Sequence, residues 1–201
     1  MLTFVIVYST IYIICNTINI LYKEIKHEKL FFSGYESFSY NDDPNVMDYI
    51  GNLLPILVEN GVSDFYSGGA LGWDKECEFA VYAMKKIMNY SQIKLHYVLP
   101  CPPEIYSQNW SEEDKDYLKI RIKVADSVEI VSNGNDKNCI EKRNARLVEL
   151  GDICVCYFNR NDFSSSTGQT VRMAEKANKI IFNLNFLHKC HPRLTKDGEL
   201  A

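Results

Sequence analysis

The chain reads as a doubly wound α/β protein, a Rossmann-like and mainly parallel sheet flanked by helices. Three observations predict this. From Leu30 onward, apolar runs of strand length alternate with stretches of helical period, the rhythm of βαβ units. One of those runs, Ile153–Phe158, is apolar at every position, as a central parallel strand buried on both faces must be. The length, 201 residues with 46% hydrophobic content, suits one sizeable domain.

The elements follow in order. KLFFSG, residues 29 to 34, is a strand ending in a glycine turn. Asp43-Pro44 reads as an N-cap followed by proline at the first helical position. Val46, Ile50, Leu53, Leu54 and Leu57 then repeat at helical spacing up to a stop at Gly61, with Pro55 expected to kink or break the helix. VSDFYS, from residue 62, is the second strand. Cys77, Ala80, Val81, Met84, Ile87 and Met88 form the stripe of the next helix. IKLHYVLP is a third strand, stopped by Pro100, Pro102 and Pro103. A polar helix from about Glu112 to Ala125 leads to the strand SVEIVS, and EKRNARLVELG is a helix with a glycine stop. After the fifth strand, TVRMAEKAN is the last helix and KIIFNL the last strand.

Ligands of such sheets bind outside the C-terminal strand ends, where strand order reverses. The loops landing there are the strand-to-helix connections, and two of them carry chemistry. FYSGGALGWD, residues 65 to 74, places three of the chain's 10 glycines within five positions. Backbone amides of Ser67, Gly68, Gly69, Ala70 and Gly72, with the following helix N-terminus, are expected to cradle an anion. Asp74 either caps that helix or accepts a bond from a ribose hydroxyl. In this reading Gly69→Asp fills the cradle with a carboxylate. DFSSSTGQT, residues 162 to 170, offers hydroxyls and Gly168 to a phosphate, or plain N-capping.

The net charge of −4 and a pI near 5.6 argue against affinity built on a basic surface, so no nucleic-acid partner is expected. Seven cysteines without C-x-x-C spacing point to buried thiols in a reducing, cytoplasmic compartment. Cys154 and Cys156 share a strand face and read as core. Cys101 could reach the site but lacks a base. The histidines and cysteine of HKCHP, residues 188 to 192, find no further ligands, so no metal is expected. Tyr106 and Trp110 could stack on a base or pack as a lid. Asp152 reads as a turn residue.

Leu2 to Tyr22 carry no charge, enough to span a bilayer, and Lys23, Lys26 and Lys29 follow. This segment either anchors the domain to a membrane from its cytoplasmic side or packs as an extra helix or strand. The expected organisation is therefore an extension over 1–28, a Rossmann-like domain over 29–186 and a tail over 187–201.

FFSGYES, FYSGGALGWDKECEFAVYA, LHYVLPC, RNARLVELGDICVCYF and SSTGQTVRMAEKANKIIF occur in that order. Together they resemble the SLOG superfamily, closest to its uncharacterised branch with an S-G-G-A-x-G-x-D loop. The resemblance implies a nucleotide or nucleotide-derived ligand at the sheet's C-terminal edge, bound by a sensor or sequestering module without a cofactor. It also implies a homodimer. Carried over by position, Gly34, Gly68, Gly69, Gly72 and Asp74 line the site, with Arg143 and Asn144 from the fourth helix and Ser165, Ser166 and Thr167 from the last loop. Two departures matter. Glu36 stands where the branch has a basic residue, and Ser165-Ser166 where it has two glycines. Phosphoribohydrolases of the superfamily carry a glutamate two residues after the loop threonine, where this chain has Gln169 or Arg172. A nucleotide N-glycosidic hydrolase is thus the alternative, and DNA processing ranks below it.

Overall fold

The computed structural model describes residues 28–39, 43–134, 136–162 and 164–185. Six strands form one sheet: β1 (Glu28–Gly34), β2 (Val62–Ser67), β3 (Lys94–Leu99), β4 (Ser127–Ile130), β5 (Ile153–Tyr157) and β6 (Ile180–Asn183). The helices are α1 (Pro44–Glu59), α2 (Trp73–Lys86), the single turn α3 (Pro103–Tyr106), α4 (Glu112–Val124), α5 (Cys139–Leu150) and α6 (Ser166–Lys176). All neighbouring strands pair in parallel, in the order β4-β3-β2-β1-β5-β6. The Rossmann-like α/β class is as the alternating pattern predicts.

Strand alternation sorts the core into two layers. Leu30 and Phe32 of β1 join Phe65, Tyr97, Leu99, Ile153 and Val155 on the face covered by α1, α2 and α4. Phe31 points the other way, with Tyr66, Val98, Cys154 and Cys156, under Leu147 and Val148 of α5 and Val171 and Ala174 of α6. Strand β5 contributes to both layers, which is why its sequence is apolar throughout. Its two cysteines are fully buried.

Two local expectations change. Helix α1 continues through Pro55 rather than breaking there. Helix α6 starts four residues before the predicted TVRMAEKAN, because Ser165 accepts a bond from Gly168 N at 3.1 Å and caps it. Ser166, Thr167 and Gly168 therefore form its first turn rather than a loop. Asp43 does occupy the N-cap of α1, without a side-chain capping bond.

Residues 1–22, with their predicted anchor, and the HKCHP tail lie outside the described residues. Among the described residues no helix is long and apolar enough to cross a membrane.

Candidate functional site

Strand order runs outward from β1 in one direction through β2, β3 and β4, and in the other through β5 and β6. The reversal lies between β1 and β5, so the crevice that such a reversal opens is framed by the loops after those two strands. A cavity of about 160 Å³ sits there.

Its β1 wall is Ser33, Gly34, Tyr35 and Glu36. Gly34 has to be glycine: a Cβ would lie 2.2 Å from the Trp73 ring, and Trp73 is itself fully buried. The β1 and β5 loops are tied together twice. Thr167 Oγ1 donates to Gly34 O at 2.9 Å, and Asn159 N donates to the Tyr35 hydroxyl at 3.0 Å. Helix α5 supplies Arg143, Asn144 and Leu147, one face at helical spacing. Asn144 Nδ2 donates to Ser166 Oγ at 2.9 Å, holding α5 against the start of α6.

The glycine loop behaves differently from its expected role. Gly68 N donates to Asp74 Oδ2 at 3.2 Å, Ala70 N also donates to Asp74, and Gly69 N donates to Ser67 Oγ at 3.0 Å. These amides are spent on the protein's own oxygens, so the loop is no open anion cradle. Gly72, at φ 66°, is the N-cap of α2; a Cβ there would strike the Glu36 and Tyr35 carbonyls at 2.4 and 2.5 Å. Asp74 is thus the loop's internal brace, not the helix cap. Gly69, also at φ 66°, would direct a Cβ to 2.7 Å from Leu99 Cδ2, into the core and away from the cavity. Gly69→Asp accordingly buries a carboxylate in the core. Its expected result is a loss of at least about 3 kcal/mol in a denaturant melt, and a near-native melt would refute this orientation.

Arg143 is the centre of the charge arrangement. It is only 5% exposed, and its Nη1 donates to Gly68 O at 2.8 Å. A Cβ on Gly68 would come within 1.9 Å of that nitrogen, so glycine at 68 makes room for the guanidinium. Burial works against its charge, yet Tyr106, Asp74 and Glu36 around it outweigh burial and keep it cationic. Its Nε is buried without a hydrogen-bond partner, as is the neighbouring Tyr106 hydroxyl. Burial pushes the Asp74 carboxyl up to about 6, against the pull of Arg143 and of its two amide bonds. The cavity therefore holds one buried guanidinium and two acidic side chains, Asp74 and Glu36. The start of α6, with its partial positive charge, closes it.

Of the predicted site residues, Gly34, Ala70, Asp74, Arg143, Asn144, Ser165, Ser166 and Thr167 line this cavity. Ser67, Gly68, Gly69, Gly72 and Gly168 do not; they shape the walls from behind. Phe32, Ser33, Tyr35, Leu147 and Thr170 line it without having been singled out. Leu147 and Thr170 were within reach of helical spacing, one turn beyond Arg143 and Ser166. Tyr106 and Trp110 pack against each other, ring centroids 5.0 Å apart, and against the core, so neither offers a stacking face in the cavity. Asp152 accepts from Lys29 N at 3.2 Å, a turn role as expected. Among the described residues no cluster of metal-ligating side chains occurs.

A family model matches residues 30–190, most of the chain. The chain belongs to the YspA SLOG family. This agrees with the SLOG resemblance carried by the glycine loop and the Arg143-Asn144 helix. Among solved structures, the SLOG fold of this chain is similar to DNA processing protein A from Helicobacter pylori, described for its single-stranded DNA binding mode. The likeness has a TM-score of 0.54 at 16% identity, covering 81% of this chain and 71% of that one. It speaks to fold. A comparison with curated proteins finds no match.

Proposed function

We propose that this SLOG domain binds a nucleotide or nucleotide-derived small molecule in the crevice between β1 and β5. The observation that carries the reading is Arg143: a buried guanidinium lining a cavity at the strand-order reversal, opposite a helix N-terminus. A cation and a helix start facing one space favour an anionic group between them. The hydroxyls of Ser33, Ser166 and Thr170 and the carboxylates of Asp74 and Glu36 suit sugar hydroxyls. At about 160 Å³ the cavity is smaller than the roughly 300–1,000 Å³ of sites that enclose a drug-sized ligand. It fits the ribose-phosphate portion, with the base on the open side.

A second reading has its own support. Asp74, a buried acid with its carboxyl pushed up to about 6, shares the cavity with Glu36. A protonatable acid beside a second carboxylate is the pair that glycosidic bond cleavage employs. Single-stranded DNA, the ligand of the Helicobacter pylori protein, is a polyanion that this acidic pair and the net charge of −4 oppose.

Incubation with a mixed nucleotide pool plus a short oligonucleotide, followed by native mass spectrometry, tests all three. A retained intact nucleotide supports the binding module, a released free base supports the hydrolase, and exclusive oligonucleotide retention supports DNA binding. Retention of nothing overturns the proposal. Glu36→Lys sharpens the test. Replacing an exposed carboxylate by a cation at the anion's side should tighten a phosphate-bearing nucleotide by about tenfold at low salt. An unchanged or weaker affinity in calorimetry would place the phosphate elsewhere.

A further inference from the structure

Three side chains on adjacent strands form a hydrogen-bonded relay in which the cavity has no part. In the parallel register His96 of β3 stands between Ser127 of β4 and Tyr66 of β2, and Asp64 precedes Tyr66 by two residues on the same face. His96 Nδ1 lies 2.7 Å from Ser127 Oγ, and His96 Nε2 lies 2.9 Å from Asp64 Oδ1. The Tyr66 ring stacks on the imidazole, centroids 4.8 Å apart, and holds its plane. Ser63 Oγ donates to the second oxygen of the Asp64 carboxylate. The His96 and Asp64 side chains are 13% and 22% exposed, whereas Ser127 is open to solvent. None of the three lines the cavity. That cavity lies beyond the C-terminal strand ends, and Ser127 is the first residue of its strand.

We propose that Ser127, His96 and Asp64 form a second, esterolytic site, with Ser127 as nucleophile, His96 as general base and Asp64 as positioning residue, acting on small carboxylic esters at the open edge of the sheet. Burial pushes the Asp64 carboxyl up, but Ser63 and His96 outweigh it and hold it below its ordinary value. An ionised carboxylate can only accept, so His96 Nε2 carries the ring proton and donates it to Asp64. Nδ1 then presents its lone pair to the Ser127 hydroxyl, the arrangement a nucleophile and its base require. Ser127 Oγ attacks the ester carbonyl carbon as its proton passes to Nδ1. The bond from that carbon to the alcohol oxygen breaks, and the proton leaves Nδ1 with the alcohol. Water next attacks the acyl carbon and gives a proton to Nδ1. The bond from the acyl carbon to Oγ breaks, Ser127 recovers the proton, and the carboxylic acid departs. One ester and one water become one acid and one alcohol, with no change of oxidation state. Strand β4 ends the sheet, and an edge strand leaves amides without a sheet partner, donors that a developing oxyanion can use.

The test treats full-length protein with an alkyl fluorophosphonate, which phosphonylates an activated serine with release of fluoride, and maps the adduct by peptide mass spectrometry. p-Nitrophenyl acetate hydrolysis is followed in parallel. The expected adduct is on Ser127, and it should block the hydrolysis. Ser127→Ala should abolish both signals, and His96→Ala should slow them by about 100-fold or more, with partial recovery on adding imidazole. Asp64 is tested by two replacements. Asp64→Asn keeps the shape but not the charge and should slow labelling at least about tenfold, whereas Asp64→Glu keeps a carboxylate and should retain more of the rate. The reverse order would make Asp64 a brace of the strand edge. No adduct on Ser127, an equal yield on other serines, or labelling indifferent to His96 overturns the proposal. If a variant fails to fold, the adduct map of the unmodified protein decides by itself. None of these readouts depends on what the cavity binds.

Discussion

Arg143→Met should cost about 3–5 kcal/mol of stability, the usual penalty for removing one partner of a buried charge arrangement, and should abolish nucleotide retention. Methionine fills much of the same volume, so the loss is electrostatic rather than a cavity effect. Two buried groups lose their partner together: Gly68 O, which accepts from Nη1 at 2.8 Å, and Asp74, whose carboxyl Arg143 pulls down against burial. The direction for Asp74 follows. Without the guanidinium its carboxyl rises further above about 6, so near neutral pH it is protonated or forces the loop open. A second substitution separates structure from binding. Asp74→Asn, added to Arg143→Met, removes the stranded acid. It should recover a substantial part of the stability while nucleotide retention stays lost. Chemical denaturation and native mass spectrometry of the two variants check this pair of outcomes. If the double variant regains both stability and binding, Arg143 is only a brace for the glycine loop and the proposed site fails with it.

The glycine loop shows why the fold was legible in the sequence and the site only partly so. Alternation of strand-length and helix-period runs is a property of backbone geometry, and it survives whatever the loops do. The apolar run of β5 announced a strand with two buried faces, and both faces are filled. Loop chemistry is different, because a glycine-rich stretch has no period and its amides can face outward or inward. What turned them inward was Asp74, seven positions past Ser67, reaching back to Gly68 and Ala70. That long-range choice depends on Gly72 docking against the Tyr35 and Glu36 carbonyls and on Arg143 arriving from a helix 75 positions away from Gly68. No local pattern records either event. The same holds for α6. A run of serines reads as loop, and only the capping bond from Gly168 N to Ser165 shows that the helix has begun. Arg143 could be singled out from the resemblance, but its partners could not. Glu141 and Glu149 were the nearest carboxylates in sequence, yet Glu149 pairs with Arg146 instead, at 2.9 Å.

Glu78 presents the second large effect, and the sequence offered no sign of it. It lies on the buried face of α2, 1% exposed, with the Tyr97 hydroxyl donating to its Oε2 at 2.7 Å and Ser67 Oγ against its other oxygen. Burial lifts its carboxyl from 4.5 to about 8, with Ser67, Tyr97 and Arg121 opposing and Asp74 adding to the rise. The folded protein thus holds a proton there that the unfolded chain releases above about 4.5. Between those two values the native state binds more protons than the unfolded state, so stability is fully present below the lower one and falls as pH rises through about 8. The loss is on the order of a few kcal/mol. Asp74, lifted from 3.8 to about 6, falls in the same direction over a lower window. Asp64 and Asp126 are held below their ordinary value, Asp64 by Ser63 and His96 and Asp126 by Lys85 and Leu95 N, against the upward push of burial. Their contributions are lost only as pH drops through their own lower range. Glu78→Gln copies the protonated acid in shape and hydrogen-bonding capacity, since its amide can donate to one hydroxyl and accept from the other. The variant should match the native protein below about pH 4.5 and exceed it progressively as pH rises from there to about 8, by a few kcal/mol at and above the upper value. Urea titrations at fixed temperature across that range measure the difference. Parallel curves for the two proteins would mean that Glu78 is already ionised in the fold, stabilised by Arg121 rather than kept neutral by burial.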